Sequence, residues 1–241
     1  MSNIKIYTNE TKNIISDTSE RLNLELEKLY KNKTQILLLV SGGSALKILD
    51  SINAEILGSH ITFGVLDERY SRDTKVNNFC QIMETGFYNN SINAGVKFID
   101  TRINNNESQN SLAERFENRI KKWRSDNSKG VIVITQGIGP DGHTSGILPF
   151  PEEKDFFNKI FNDKNKSVVA YDATGKNQYT LRITTTLSFL RDVDISIVFV
   201  CGADKTEALR KTLSSDGDIS TTPARIINEM KEVFLFTDIR L

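Results

Sequence analysis

The sequence predicts an α/β fold, a largely parallel sheet with helices on both faces. Three observations predict it. Strand-like and helix-like periodicities alternate along the chain. Four runs, 35–40, 61–66, 131–135 and 195–200, are apolar throughout, as strands covered on both faces must be. The most unusual polar segments each follow one of those runs directly. In open sheets of this kind, ligands bind outside the carboxyl ends of the strands. If the four runs are parallel neighbours, Ser41-Gly42-Gly43-Ser44, Asp67-Glu68-Arg69, the stretch from Gly137 to Gly146, and Gly202-Ala203-Asp204-Lys205 meet on one rim.

Taken in order, Ile4 to Tyr7 reads as a first short strand. Ile15, Leu22, Leu26 and Leu29 recur at helical spacing and predict an amphipathic helix over about 12–30. The apolar run 35–40 then leads, past the Gly-rich turn, into a helical segment at Ala45 to Leu49. After the run 61–66, a helix is expected over 77–88 and a strand over 96–99. Asn104 to Ser108 is a polar loop, and Leu112, Phe116, Ile120 and Trp123 mark the stripe of the next helix. A helix near 152–162 and strands at 167–171 and 179–184 follow. Beyond 195–200, Ala208, Leu209 and Leu213 mark a helix. Pro223 opens another, because its missing donor is harmless there. The last strand is 233–236.

A chain of 241 residues buries a sizeable core. With no internal repeat or dividing linker, 1–241 reads as a single domain. Lys plus Arg equals Asp plus Glu at 31 each, a formal net charge of zero. That balance excludes a general nucleic-acid or anionic-membrane binder. No leader-like or bilayer-length apolar run occurs, so the expected state is soluble and cytoplasmic. Cys80 and Cys201 lie far apart and read as free thiols. His60 and His143 are the only histidines, and no zinc-type spacing exists. No metal or other cofactor is expected.

The centre of the chemistry is Gly137-Ile138-Gly139-Pro140-Asp141-Gly142-His143. Three glycines within six residues let the backbone turn sharply and approach a ligand closely. In a locally extended segment Asp141 and His143 leave the same face, and an acid beside a histidine orients the ring. His60, just before a strand, reads as structural. Gly42, Gly43 and Ser44 open a helix after a strand. They form either a phosphate cradle or a plain tight turn. Lys205 is either an added point charge for the same anion or a solvated lysine. Arg182, inside an otherwise uncharged run, calls for an anionic partner, structural or ligand. Asp67, Glu68 and Arg69 are either a surface salt-bridge knot or a proton-transfer carboxylate beside a guanidinium. Gly137-x-Gly139-x-x-Gly142 fits a dinucleotide fingerprint by letters only. Gly146 and Pro149 cut short the helix it requires, and Asp163, roughly 20 residues on, lies in a polar turn instead of ending a strand. No G-x-S-x-G elbow is present.

On these segments the chain resembles the 6-phosphogluconolactonase family, within a group that includes glucosamine-6-phosphate deaminases/isomerases. The resemblance rests on Gly42-Gly43-Ser44, Asp67-Glu68-Arg69 with Asn78 downstream, 137–149, Arg182-Ile183-Thr184 and 202–209, and it runs nearly the full length. It implies a modified Rossmann-like fold that binds a sugar phosphate without metal or nucleotide. It further implies that Gly42, Gly43, Ser44, Arg182 and Lys205 hold the phosphate, with Asp141, His143 and Arg69 near the reacting carbon. Deaminases resemble DGHIAFNEP after the shared glycines and carry Asp-Glu-Tyr where this chain has Asp67-Glu68-Arg69. Here Leu148 stands where they place a supporting Glu, so the lactonase branch is favoured. Departures from the lactonase pattern lie at Ala45-Leu46, 70–73 and 145–148.

The expected reaction is hydrolysis of 6-phospho-D-glucono-1,5-lactone. His143 acts as base, Asp141 as its orienter, and Arg69 or loop amides as oxyanion donors. Asp67 completes the expected catalytic set. An aldose–ketose isomerase or deaminase is the first rival. A non-catalytic sugar-phosphate sensor is the second, and it would need a DNA-binding region for which the length leaves no room. The partner is a small sugar-phosphate lactone, and the chain is expected to be a monomer or small homo-oligomer.

Overall fold

The computed structural model describes residues 3–240, without the side chains of Ser44 and Ala45. The role expected of the Ser44 side chain therefore lies outside the described residues. Seven parallel strands form the main sheet: β1 (Ile4–Thr8), β2 (Ile36–Val40), β3 (Ile61–Val65), β5 (Lys97–Phe98), β6 (Val131–Gly137), β9 (Ile195–Val200) and β10 (Glu232–Thr237). Their spatial order is β1-β10-β9-β6-β2-β3-β5. The four apolar runs of the sequence are thus consecutive neighbours, β9-β6-β2-β3. Leu38 pairs with Val133 on one side and Phe63 on the other.

Side chains on these strands alternate between two cores. Leu37, Leu39, Ile132, Ile134, Val198 and Val200 face one side. Ile36, Leu38, Val40, Val133, Ile197 and Phe199 face the other. The first side is covered by α4 (Gln109–Asp126), α5 (Lys154–Phe161), α6 (Leu187–Asp192) and α7 (Thr206–Leu213). The second is covered by α1 (Thr11–Lys31), a 3-10 segment (Gly43–Ser51), α2 (Asn78–Met83) and α3 (Gly86–Ala94). A strand buried on both faces has no polar side to show, which is why these runs lack alternation.

Local chemistry sets several boundaries. Ser108 caps α4, its hydroxyl accepting the Ser111 amide at 3.1 Å, and Leu112, Phe116, Ile120 and Trp123 are buried along one stripe. The single helix expected over 77–88 is two. The Thr85 hydroxyl donates to the Ile82 carbonyl at 2.7 Å and accepts the Tyr88 amide at 3.2 Å, ending α2 and capping α3. Gly95, at φ 83°, closes α3, where a left-handed residue is wanted. The segments at 43–51 and 223–229 are 3-10 rather than α-helical.

A second sheet, absent from the sequence reading, has order β4-β8-β7 and is antiparallel: β4 (Asp67–Arg69), β8 (Leu181–Thr185) and β7 (Val168–Asp172). Among the described residues, no helix is long and apolar enough to cross a membrane.

Ile134, in the middle of the central strand β6, is fully buried. Ile134→Ala is expected to lower folding stability by about 2–5 kcal/mol, measured by urea denaturation. A cost below about 0.5 kcal/mol would contradict the packing described.

Candidate active site

Because β9, β6, β2 and β3 are parallel neighbours, their carboxyl ends share one edge. A cavity of about 290 Å³ opens there. It is lined by Gly42 and Gly43 after β2, Asp67 and Arg69 of β4, the 137–140 loop and His143 after β6, Arg182 of β8, and Lys205 after β9. Every described residue expected at the site lines this cavity except Asp141, which stands behind His143. A wider groove of about 540 Å³ lies between β1 and α1, lined by Tyr7, Asp17 and Arg21 among others, and holds no histidine or cysteine.

The loop after β6 is tied down at several points. The Gly139 amide donates to the His143 carbonyl at 2.9 Å, and the Gly142 amide to the Gly139 carbonyl at 3.0 Å. The turn is thus closed rather than extended. Its closure brings the Asp141 carboxylate to the His143 ring, Oδ1 to Nδ1 at 2.5 Å, and to the His143 amide at 3.1 Å. A carboxylate can only accept, so it fixes the ring proton on Nδ1 and leaves Nε2 with its lone pair. Burial works to raise the Asp141 carboxyl, yet the hydrogen bond and field of His143 hold it below the usual carboxylate range. A Cβ built on residue 139 would stand 2.1 Å from the His143 ring, so only glycine leaves the ring its place.

Beneath the loop, Gln136 is fully buried. It accepts the hydroxyls of Thr144 at 3.0 Å and Ser145 at 2.9 Å, and donates to Ser196 at 2.9 Å. Ser145 sits at φ 49°, a conformation that costs a non-glycine residue energy. Its hydroxyl bond to Gln136 and its carbonyl bond from Thr184 hold it there. The buried Tyr171 hydroxyl donates to the Gly146 carbonyl at 2.5 Å, and burial pushes that hydroxyl's pKa up.

The second sheet delivers the cations. In the β4–β8 ladder Arg69 lies directly opposite Arg182. Like charges in that relation repel. The structure offsets them locally. Asp67 Oδ2 accepts from Arg182 Nη2 at 2.9 Å, with both side chains 8% exposed. The Arg69 guanidinium lies 4.7 Å from the Tyr179 ring centroid, a cation–π contact, and donates to the Val76 carbonyl at 3.3 Å. The buried Nε atoms of both arginines have no partner among the described residues. Lys205 Nζ donates to the Cys201 carbonyl at 2.7 Å and lies 3.7 Å from Asp204.

Two corrections to the sequence reading follow. Asp67 sits against Arg182, not against its neighbour Arg69. The triplet 67–69 is not a surface knot, because Asp67 is 6% and Glu68 0% exposed. Glu68 accepts from the amides of Arg69, Asn78 and Phe79 and from the Thr101 hydroxyl. Asn78, Gly146 and Phe199 also line the cavity. Sequence reasoning assigned them no role, and only Asn78 had a signal, its place downstream of the charged triplet.

Fold and cavity together define an α/β protein with a cation-lined rim and an acid-oriented imidazole. The chain belongs to the glucosamine-6-phosphate isomerase/6-phosphogluconolactonase family, whose model it matches over residues 9–236. It is similar to a probable 6-phosphogluconolactonase of Dictyostelium discoideum, 23% identical over 235 residues, covering 91% of this chain and 94% of the relative. It is 24% identical over 204 residues to the 6-phosphogluconolactonase of Thermotoga maritima, covering 78% and 89%. The solved structure of 6-phosphogluconolactonase from Trypanosoma brucei shares the fold at a TM-score of 0.74 and 17% identity, covering 98% of this chain and 97% of that one.

Burial pushes the Glu68 carboxyl from 4.5 up to about 7, against the pull of its four hydrogen bonds. A carboxyl whose folded pKa exceeds its unfolded one binds its proton more tightly when folded. Its stabilisation is present at low pH and is lost as pH rises through the folded value. His60, lowered by burial, works in the opposite sense, so a difference measurement is needed. The stability of wild type relative to Glu68→Gln is expected to decline between pH 4.5 and 7, by on the order of 3 kcal/mol at about 1.4 kcal/mol per pKa unit. Urea denaturation of both proteins at stepped pH reads it, and a difference that grows over this interval would contradict the assignment.

Proposed function

We propose that the chain hydrolyses 6-phospho-D-glucono-1,5-lactone to 6-phospho-D-gluconate. The observation that carries this reading is the meeting of the Asp141–His143 pair with Arg69, Arg182 and Lys205 around one cavity. An imidazole held with a free Nε2 is suited to general-base work near neutral pH. A cluster of cations on the same wall is suited to a phosphate.

His143 Nε2 takes a proton from a water molecule, whose oxygen attacks the lactone carbonyl carbon. Negative charge builds on the carbonyl oxygen, and Arg69 with amides of the 137–142 loop stabilises it. The tetrahedral intermediate collapses by breaking the bond to the ring oxygen. That oxygen leaves as a hydroxyl, taking the proton back from Nε2, and the new carboxylic acid ionises. Asp141 holds the ring and compensates its charge while the proton is aboard. Arg182, Lys205 and the backbone donors at Gly42 and Gly43 hold the phosphate, fixing the lactone relative to His143. Among the described residues no side chain caps the 3-10 segment that begins at Gly43, so its first amides are available to an anion. Asp67, engaged by Arg182, orients that guanidinium.

Leu148 supports this branch over the deaminases. It is 2% exposed and packed in the core with Phe150, Tyr171 and Ile183. It offers His143 no carboxylate.

His143→Ala is expected to reduce lactone hydrolysis, corrected for the spontaneous reaction, by about 10²–10⁴-fold. 6-Phosphogluconate should still bind by calorimetry. Full activity in this variant would refute the role. Wild-type activity should be unchanged by a chelator, and glucosamine 6-phosphate should release no ammonia.

A further inference from the structure

We propose that Glu68, which does not line the cavity, is the positioning residue that sets Arg69 and Asn78 on its rim. The inference rests on the lactone hydrolysis proposed above. Glu68 Oε1 accepts the Arg69 amide at 2.8 Å and the Asn78 amide at 2.6 Å. Oε2 accepts the Phe79 amide at 3.0 Å and the Thr101 hydroxyl at 2.7 Å. One carboxyl therefore joins β4, the first turn of α2 and the segment after β5. Asn78 carries the connection further. Its Nδ2 donates to the Asp67 carbonyl at 2.9 Å. Its Oδ1 stands 2.3 Å from where a Cβ on residue 42 would be. Glu68 thus holds the backbone of Arg69 and of Asn78 directly, while the Asn78 side chain has its own bond to the Asp67 carbonyl and packs against the turn at Gly42.

The chemistry of the choice supports the role. Glu68 is fully buried, and its four hydrogen-bond partners are neutral donors. Burying a carboxyl among neutral groups is costly, and an apolar residue would avoid the cost. No apolar residue could gather four donors from three elements at fixed angles. β4 is only three residues long, too short to hold its own register, and it carries two cavity residues. Arg69 has no other strong anchor for its backbone than Glu68 and the β8 ladder.

The test is Glu68→Gln, which keeps shape and replaces one acceptor oxygen by a donor. Each oxygen takes at least one backbone N–H, so neither amide orientation is satisfied. Loss of Arg69 placement is expected in the transition state, not in phosphate binding. We expect kcat for lactone hydrolysis to fall at least about tenfold. KM should move less than about threefold, and 6-phosphogluconate should still bind at one site per chain by calorimetry. Thr101→Val removes one of the four bonds and leaves Arg69 and Asn78 held. It should lower Tm while keeping kcat within about twofold. Undiminished kcat in Glu68→Gln overturns the inference. So does a loss that appears as fewer binding sites per chain, which would mark simple unfolding, or an equal loss of kcat in Thr101→Val. Wild-type protein inert on the lactone would overturn the activity itself, and is read before either variant.

Discussion

The parallel pairing of β9, β6, β2 and β3 is the constraint on which the cavity depends. In a parallel ladder each strand leaves at the same edge, so the four segments that follow must begin within a few strand spacings of one another. Val40 is paired with Thr135 and with Val65, which sets the exits after β2, β6 and β3 nearly level. Residues separated by more than a hundred positions, Gly42 and Lys205 among them, become cavity neighbours without any direct bond between them. The apolar content of these strands is thus the cause of the site's geometry. Packing on both faces leaves the chain only the ends on which to place polar groups.

The small antiparallel sheet solves a different problem. Two arginines stand on one wall, and isolated guanidiniums repel. The β4–β8 ladder holds them opposite each other regardless, and Asp67 and Tyr179 absorb part of the cost. Such a wall is incomplete by design. Each arginine keeps capacity that no described protein group fills, and an anion is the natural complement. The buried polar network around Gln136 does the corresponding work beneath the loop, where it fixes a strained serine two residues from the imidazole.

Much of this was legible in the sequence, for stated physical reasons. The four central strands declare themselves because burial on both faces leaves them almost wholly apolar, with no charged residue and no polar alternation. The loops declare themselves because glycine clusters and charged groups directly after such strands have few other uses. The β4–β8–β7 sheet was hidden. Asp67-Glu68-Arg69 has no alternation, and three charged letters after a strand look like surface. The Asp67–Arg182 pair spans 115 positions, a separation that no local pattern encodes. The break at Thr85 depends on one hydroxyl serving two backbone groups, and α6, at six residues, is shorter than the window in which helical period can be read. The inward turn of Glu68 has no sequence signal, since its four partners come from segments that only the fold assembles.

The imidazole at the rim has its seat carved out of a neighbour's missing carbon. The ring lies where any side chain on residue 139 would have to begin, so the two positions exclude each other sterically. A side chain added at 139 would have to push the ring aside, and the bond that ties the ring to Asp141 would go with it.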